Sequence, residues 1–293
     1  MKFELVYGFN NMSVTKFREY EIKQVNDIKY VVPVVNDKGF KYSVIDYRDY
    51  EEDDKPLIDF INLGKATLDN RDDTDRLLIE YVNKYGLLGM IHDLPVNRYY
   101  TLDSVVLLKE YNNITGKAYY DCFNTMNILD YFKVFFPTAS DEEIKQLIDE
   151  TNKQACTTAM EKFITHDLND LYFKNEKYFE RVDMLVYYAQ IVYRTLLDLK
   201  KDWHKVDERE TIERIEGNHI RTNLSHEGIT IHIRSLKEYI DEDFKLYAIE
   251  NKKYLKTCKH CGKAFIAKNP KTEYDTFSCK NQANVYKSRA KIK

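Results

Sequence analysis

Three of the five cysteines in this 293-residue chain, Cys258, Cys261 and Cys279, fall within its last 36 residues. No other feature constrains the fold as much. A segment so short buries too little apolar surface to fold alone, and a bound metal is the usual supplement. Cysteines gathered this way, in a chain whose start (MKFELVYGFNNMSV) carries no secretory signal, point to metal binding before disulfides. Cys258-Lys-His-Cys261-Gly262-Lys263 has the form of a knuckle, in which two thiolates grip one ion and the glycine permits the tight turn.

A structural zinc site is tetrahedral, so three thiolates leave one position to fill. The pattern Cys258-x2-Cys261-x13-Asp275-x3-Cys279 nominates Asp275. Positions 275 and 279 lie one helical turn apart, so their side chains can converge, and a carboxylate is an acceptable if harder zinc donor. His260 and Glu273 are the rivals, but His260 sits between the knuckle cysteines and should point away from the ion they share. The expected site is Cys258, Cys261, Asp275 and Cys279 around a structural Zn2+. An open catalytic zinc is disfavoured, since no general base accompanies it.

The rest of the tail completes a small unit. Residues 264–267 (AFIA) suit a short strand, Asn269-Pro270 a turn, Tyr274 the start of a return, and residues 279–291 a basic helix. Knuckle, hairpin and helix together predict a treble-clef zinc finger. Its charge is distinctive. From residue 251 onward there are twelve Lys or Arg against two acidic residues, a net +10, which leaves −13 on the first 250. Clustered cations exchange counterions with phosphates, so the tail is expected to face a polyanion. Lys280, Asn281, Asn284, Tyr286, Lys287, Arg289 and Lys291 are the candidates: amides for adenine edges, cations for phosphates, the tyrosine for stacking. The competing expectation is a protein-interaction module, with the finger as scaffold and its cations docked on the acidic body.

The remaining chain predicts an α+β protein with a β-rich N-terminal segment (1–66), a mainly helical body (67–250) and the finger (251–293). Hydrophobic residues at 43%, with only 9 Gly and 5 Pro, exclude low-complexity disorder. No apolar run approaches the ~18 residues of a membrane helix. A cytoplasmic, soluble protein is expected, with a homodimer left open. Strands are expected at 2–9, 30–35 and 41–47, where β-branched and aromatic residues alternate with Asn, Asp and Gly. Helices are expected at 72–85, ended by Gly86, from a capping box at Ser140 and Glu143, at 178–203 and at 236–254. Residues 218–235 alternate around a glycine and suit a hairpin. Cys122 and Cys156 stand among small and apolar residues and are expected to be buried structural thiols.

Residues 258–289 (CKHCGKAFIAKNPKTEYDTFSCKNQANVYKSR) resemble the C-terminal finger of an uncharacterised bacterial family with the pattern CKHCGKxFI followed by a CKNxxNVYKSR-like ending. Residues 81–95 (YVNKYGLLGMIHDLP) look like that family's YGLLGL-type segment, and residues 131–137 (YFKVFFP) like a further piece. The likeness runs from about residue 80 to the end and is strongest in the finger. More distantly, the finger is similar to that of the CGNR zinc-finger proteins, which pair a helical domain with a basic finger and are proposed transcription regulators. The resemblance implies that Cys258, Cys261 and Cys279 are three metal ligands and that DNA is the polyanion. Asp275 departs from the pattern, standing where the family has its fourth cysteine.

Enzymes rank lower. Arg221-x4-His226 and Arg214-x4-His219 have the spacing of HEPN-type ribonuclease motifs, but so short a pattern arises by chance, and Gly217 and Gly228 argue against the helix it requires. There is no Walker loop, GxGxxG or GxSxG. No catalytic residue is assigned.

Overall fold

The structure, a computed structural model, describes residues 7–9, 13–34, 39–43, 55–70, 72–93, 100–107, 125–160, 172, 175–201, 221–225, 228–233, 235–249, 254–267 and 269–290, and structural statements concern these. Over them the chain is mixed α+β and mostly helical, with seven α-helices and small sheets. Five short strands come first: β1 (Tyr7–Phe9), β2 (Ser13–Lys16), β3 (Tyr20–Val25), β4 (Ile28–Pro33) and β5 (Phe40–Ser43). Of the three expected strands, parts of each appear, while β2 and β3 were not anticipated. β3 and β4 form a hairpin closed by Asn26 and Asp27, both at positive φ, as a two-residue turn of matching twist demands.

Helix α1 (Pro56–Asp69) spans the expected boundary at residue 66. The acidic run before it lies outside the described residues, and Pro56 occupies the first turn of the helix, where its missing N–H costs nothing. Helix α2 (Thr74–Tyr85) stops as expected at Gly86, whose φ of 89° would strain any other residue and whose N–H donates to Val82 at 2.7 Å. Strands β6 (Val105–Leu107) and β7 (Thr125–Asn127) pair before helix α3 (Ile128–Phe135). The capping box at the start of α4 (Asp141–Met160) forms in both directions: Glu143 N–H donates to Ser140 Oγ at 3.3 Å, and Ser140 N–H donates to Glu143 Oε2 at 2.9 Å.

Strand β8 (Glu180–Arg181) adds to β4 and leads into α5 (Val182–Lys201), whose Leu185, Ala189, Val192 and Leu196 are buried as the periodicity predicts. The expected hairpin appears as β9 (Arg221–Ser225) and β10 (Gly228–His232), with β1 added in parallel to β10. Helix α6 (Leu236–Ile249) ends earlier than the expected 254, because Tyr254 begins a strand of the finger.

One aromatic-rich core joins the parts. Phe17, Tyr20 and Val31 of the strand region share it with Phe60 of α1, Tyr81 and Tyr85 of α2, Phe132 and Phe135 of α3, and Tyr188 of α5. The ring of Phe60 sits 5.2 Å from Tyr81 and 5.4 Å from Tyr188. Helices α1 and α5 touch backbone to backbone at Gly64, where a Cβ would fall within the Ala189 carbonyl and 2.9 Å from Gln190 N. Two polar groups are buried with their needs met. Glu180 accepts the N–H groups of Leu88, Gly89 and Met90 at 2.6–2.8 Å together with the Tyr178 hydroxyl at 2.6 Å. On α6, Asp241 accepts from the Tyr188 hydroxyl and pairs with Lys237 at 3.1 Å. No helix among the described residues is long and apolar enough to cross a membrane.

Candidate metal centre and basic helix

The C-terminal unit is built on a hairpin. Strand β11 (Tyr254–Thr257) pairs antiparallel with β12 (Ala264–Ala267), and the knuckle lies at its tip. This corrects one expectation: the partner of β12 precedes the knuckle, and the stretch beginning at Tyr274 forms no strand. The tip is fixed by its own backbone. Cys258 N–H donates to the Lys263 carbonyl at 2.8 Å, and Gly262 N–H returns to the Cys258 carbonyl at 2.9 Å. Gly262 takes a φ of 73°, which explains the glycine of the motif. Lys259 N–H donates to the Glu273 carbonyl at 2.9 Å, drawing the 269–275 segment back over the knuckle, and Lys256 Nζ donates to the Thr272 carbonyl at 3.1 Å.

The third cysteine arrives on helix α7 (Phe277–Ala290). The helix starts at Phe277, ahead of the expected 279. Thr276 caps it by accepting from Cys279 N–H at 3.2 Å, which puts the sulfur in the first turn. The Sγ atoms of Cys258, Cys261 and Cys279 all lie within 4.8 Å of one another. Three sulfurs so placed could hold a metal ion. The 3.8 Å between Cys261 and Cys279 equals the edge of about 3.8 Å expected for a tetrahedron of ~2.3 Å metal–sulfur bonds. Burial pushes the Cys258 thiol up, but the N–H groups of Cys261, Asp275 and His260 outweigh it and leave the thiol below its ordinary value. Burial takes Cys261 the other way, up to about 11, with the neighbouring Cys258 and Cys279 thiols adding to the rise.

Asp275 stands outside the group of donors within 4.8 Å of one another. It precedes α7 instead of lying on it, so the one-turn spacing is not what brings it near. Its backbone N–H reaches the Cys258 sulfur instead. Its Oδ1 is buried and has no hydrogen-bond partner, an arrangement that is costly unless a cation or donor meets it. Both rivals are engaged elsewhere. His260 Nε2 lies 2.8 Å from Gln282 Oε1 and its ring stacks on Tyr286 at 5.8 Å, while Glu273 accepts from Lys259 Nζ at 2.5 Å.

Helix α7 has no buried residue. Cys279 and Ala283, one turn apart, are its least exposed positions, and they define the side facing the knuckle. At 3.6 residues per turn the opposite face carries Phe277, Asn281, Asn284, Val285 and Ser288, with Lys280 on one edge and Arg289 on the other. Tyr286 and Lys287 flank the inner side, where Lys287 Nζ meets the Tyr274 hydroxyl at 3.4 Å. Lys280, Lys287 and Arg289 make no ion pair with body carboxylates among the described residues. Of the four exposed large hydrophobic residues described, Phe277, Val285 and Tyr286 are on this helix.

The finger is seated on the body by contacts that the motif does not announce. Asn62 of α1 pairs with the β12 backbone in both directions, accepting from Ala264 N–H at 2.7 Å and donating to its carbonyl at 3.2 Å. Tyr193 of α5 reaches the Gly262 carbonyl at 3.4 Å, and Ala264 joins the core. Several expected residues fall outside the description: Lys291, Cys122, the Cys156 side chain, His226, and the Arg214–His219 pair. Arg221 starts strand β9 rather than lying on a helix. No protein-family model, curated protein or solved structure matches this chain.

Proposed function

We propose that the C-terminal unit is a zinc-stabilised finger of treble-clef type that binds nucleic acid, with duplex DNA as its ligand and a regulatory role for the whole protein. Cys258, Cys261 and Cys279 would hold the Zn2+, with Asp275 supplying the fourth donor, and the metal's part is structural. One observation carries the reading: a +10 segment presents a helix with an exposed outward face, and among the described residues no body carboxylate pairs with its Lys280, Lys287 or Arg289. The pattern of that face supports duplex recognition. Asn281 and Asn284 occupy its centre, suited to adenine edges, while Lys280 and Arg289 stand at the edges, suited to phosphates on either side of a groove. Tyr286 and Lys287 add stacking and charge from the flank, and Lys291, outside the described residues, adds a further cation in the sequence. DNA over RNA follows from the CGNR resemblance, and no catalytic step is assigned.

A second reading has its own support. Phe277, Val285 and Tyr286 expose apolar surface on one helix, as a protein-interaction face would. Binding of labelled duplex DNA at low and high salt separates the two. The nucleic-acid reading expects salt-dependent retention that Lys287→Glu with Arg289→Glu abolishes while circular dichroism stays unchanged. Retention that survives the double substitution defeats it, and a wild-type chain that retains no DNA favours the protein partner.

A further inference from the structure

Three regions outside this reading hold unusual chemistry: the carboxylate nest at Glu180, the charged helix α6, and the junction between knuckle and α7. Glu180 is fully provided with donors, and the buried Lys237, Asp241 and Tyr188 are paired with one another. The junction is different, because what holds α7 to the protein is so little.

We infer that α7 is displayed only while a cation links Cys279 to the knuckle, and that Asp275 is the arm that keeps this cation exchangeable, which makes the interface responsive to metal supply. The inference rests on the proposed zinc finger and extends it. Among the described residues α7 buries no side chain, and its ties to the rest of the chain are few. They are the Thr276 cap, the His260–Gln282 and His260–Tyr286 contacts, the long Lys287–Tyr274 bond, and the Cys279 sulfur. Fourteen residues with no apolar stripe and no side chain buried among the described residues make a marginal helix in water. Without the shared cation, Cys279 keeps only a sulfur–sulfur contact at 3.8 Å, and nothing apolar replaces it.

Asp275 decides how firmly the cation is kept. Its backbone N–H reaches the Cys258 sulfur and its Oδ1 is buried and unpartnered, so a cation held by the three sulfurs would gain an oxygen donor if that carboxylate turned to it. Oxygen is the hard member of an otherwise soft set, and borderline-soft zinc holds a carboxylate less tightly than a fourth thiolate. The body is independent of this event. Its core runs through α1, α2, α3 and α5, and β12 stays attached through Asn62 and Ala264 whether or not Cys279 is bound.

The full chain, loaded with one zinc, is challenged with increasing chelator while zinc release is followed by an indicator dye and amide exchange is followed along the chain. Loss of zinc is expected to abolish protection over 277–290 while α1 and α5 keep theirs. Asp275→Cys is expected to slow release about tenfold and to preserve α7 at chelator levels that empty the natural chain. Asp275→Ala should release faster. A helix that stays protected after zinc is gone overturns the inference and leaves the finger reading intact, as does an Asp275→Cys chain that releases zinc at the natural rate. A chain that takes up no zinc overturns both.

Discussion

Helix α1 holds two residues on which the assembly turns, and neither is signalled by its chemistry alone. Gly64 lets α1 meet α5 at backbone distance, so Gly64→Ala forces the helices apart. Overpacking of this kind costs roughly 1–3 kcal/mol or more, and a lowered urea midpoint would record it. An unchanged midpoint would mean that the contact yields freely. Asn62 serves as a side-chain stand-in for a strand neighbour of Ala264. Asn62→Ala leaves an amide and a carbonyl of β12 without partners, a loss of about 1–3 kcal/mol. Faster amide exchange at Ala264, with α5 unaffected, is the expected result. In the sequence, Gly64 counts only as a poor helix former, and the 202 positions separating Asn62 from Ala264 put their pairing beyond any local pattern. The knuckle was legible because its chemistry is local: Cys258, Cys261 and the positive-φ Gly262 lie within five residues.

Elements were legible where their ends carried polar signals. The box at Ser140 and Glu143 and the stop at Gly86 were plain in the sequence because each depends on residues a turn apart. Helix α1 was hidden because Pro56 follows an acidic run and resembles a loop closure, although the same proline suits a first helical turn. The expected helix at 236–254 took in the first residue of β11, and the rest of that strand went unread because its pairing with β12 is what gives Tyr254–Thr257 a reason to be extended. The α4 cap also gives a test in pH. Hydrogen bonding to Lys177, then to the Ser140 backbone, holds the Glu143 carboxyl below the usual range. A depressed folded value means that this contribution is present above the ordinary carboxylate value of ~4.3 and is lost as pH falls through the folded one. Lys177→Ala should return the Glu143 midpoint toward the ordinary value in a carboxyl NMR titration. A midpoint that does not move would assign the shift to the cap alone.

Across the whole molecule, charge is unevenly divided. The body is acidic and closes around aromatic rings, and the basic C-terminal unit rests on it through β12, with no side chain of α7 buried among the described residues. A polyanion partner then predicts binding that weakens steeply with salt. Loss of a single phosphate contact, as in Lys280→Ala, should reduce the logarithmic salt slope by about one. An identical slope would remove Lys280 from the interface. All of this presupposes that Cys258, Cys261 and Cys279 share one ion, and metal content tests that premise directly. Atomic emission on the folded, gel-filtered chain should find one zinc per molecule, falling to a small fraction in Cys279→Ser. A well-folded natural chain containing no stoichiometric metal would contradict the account at its root.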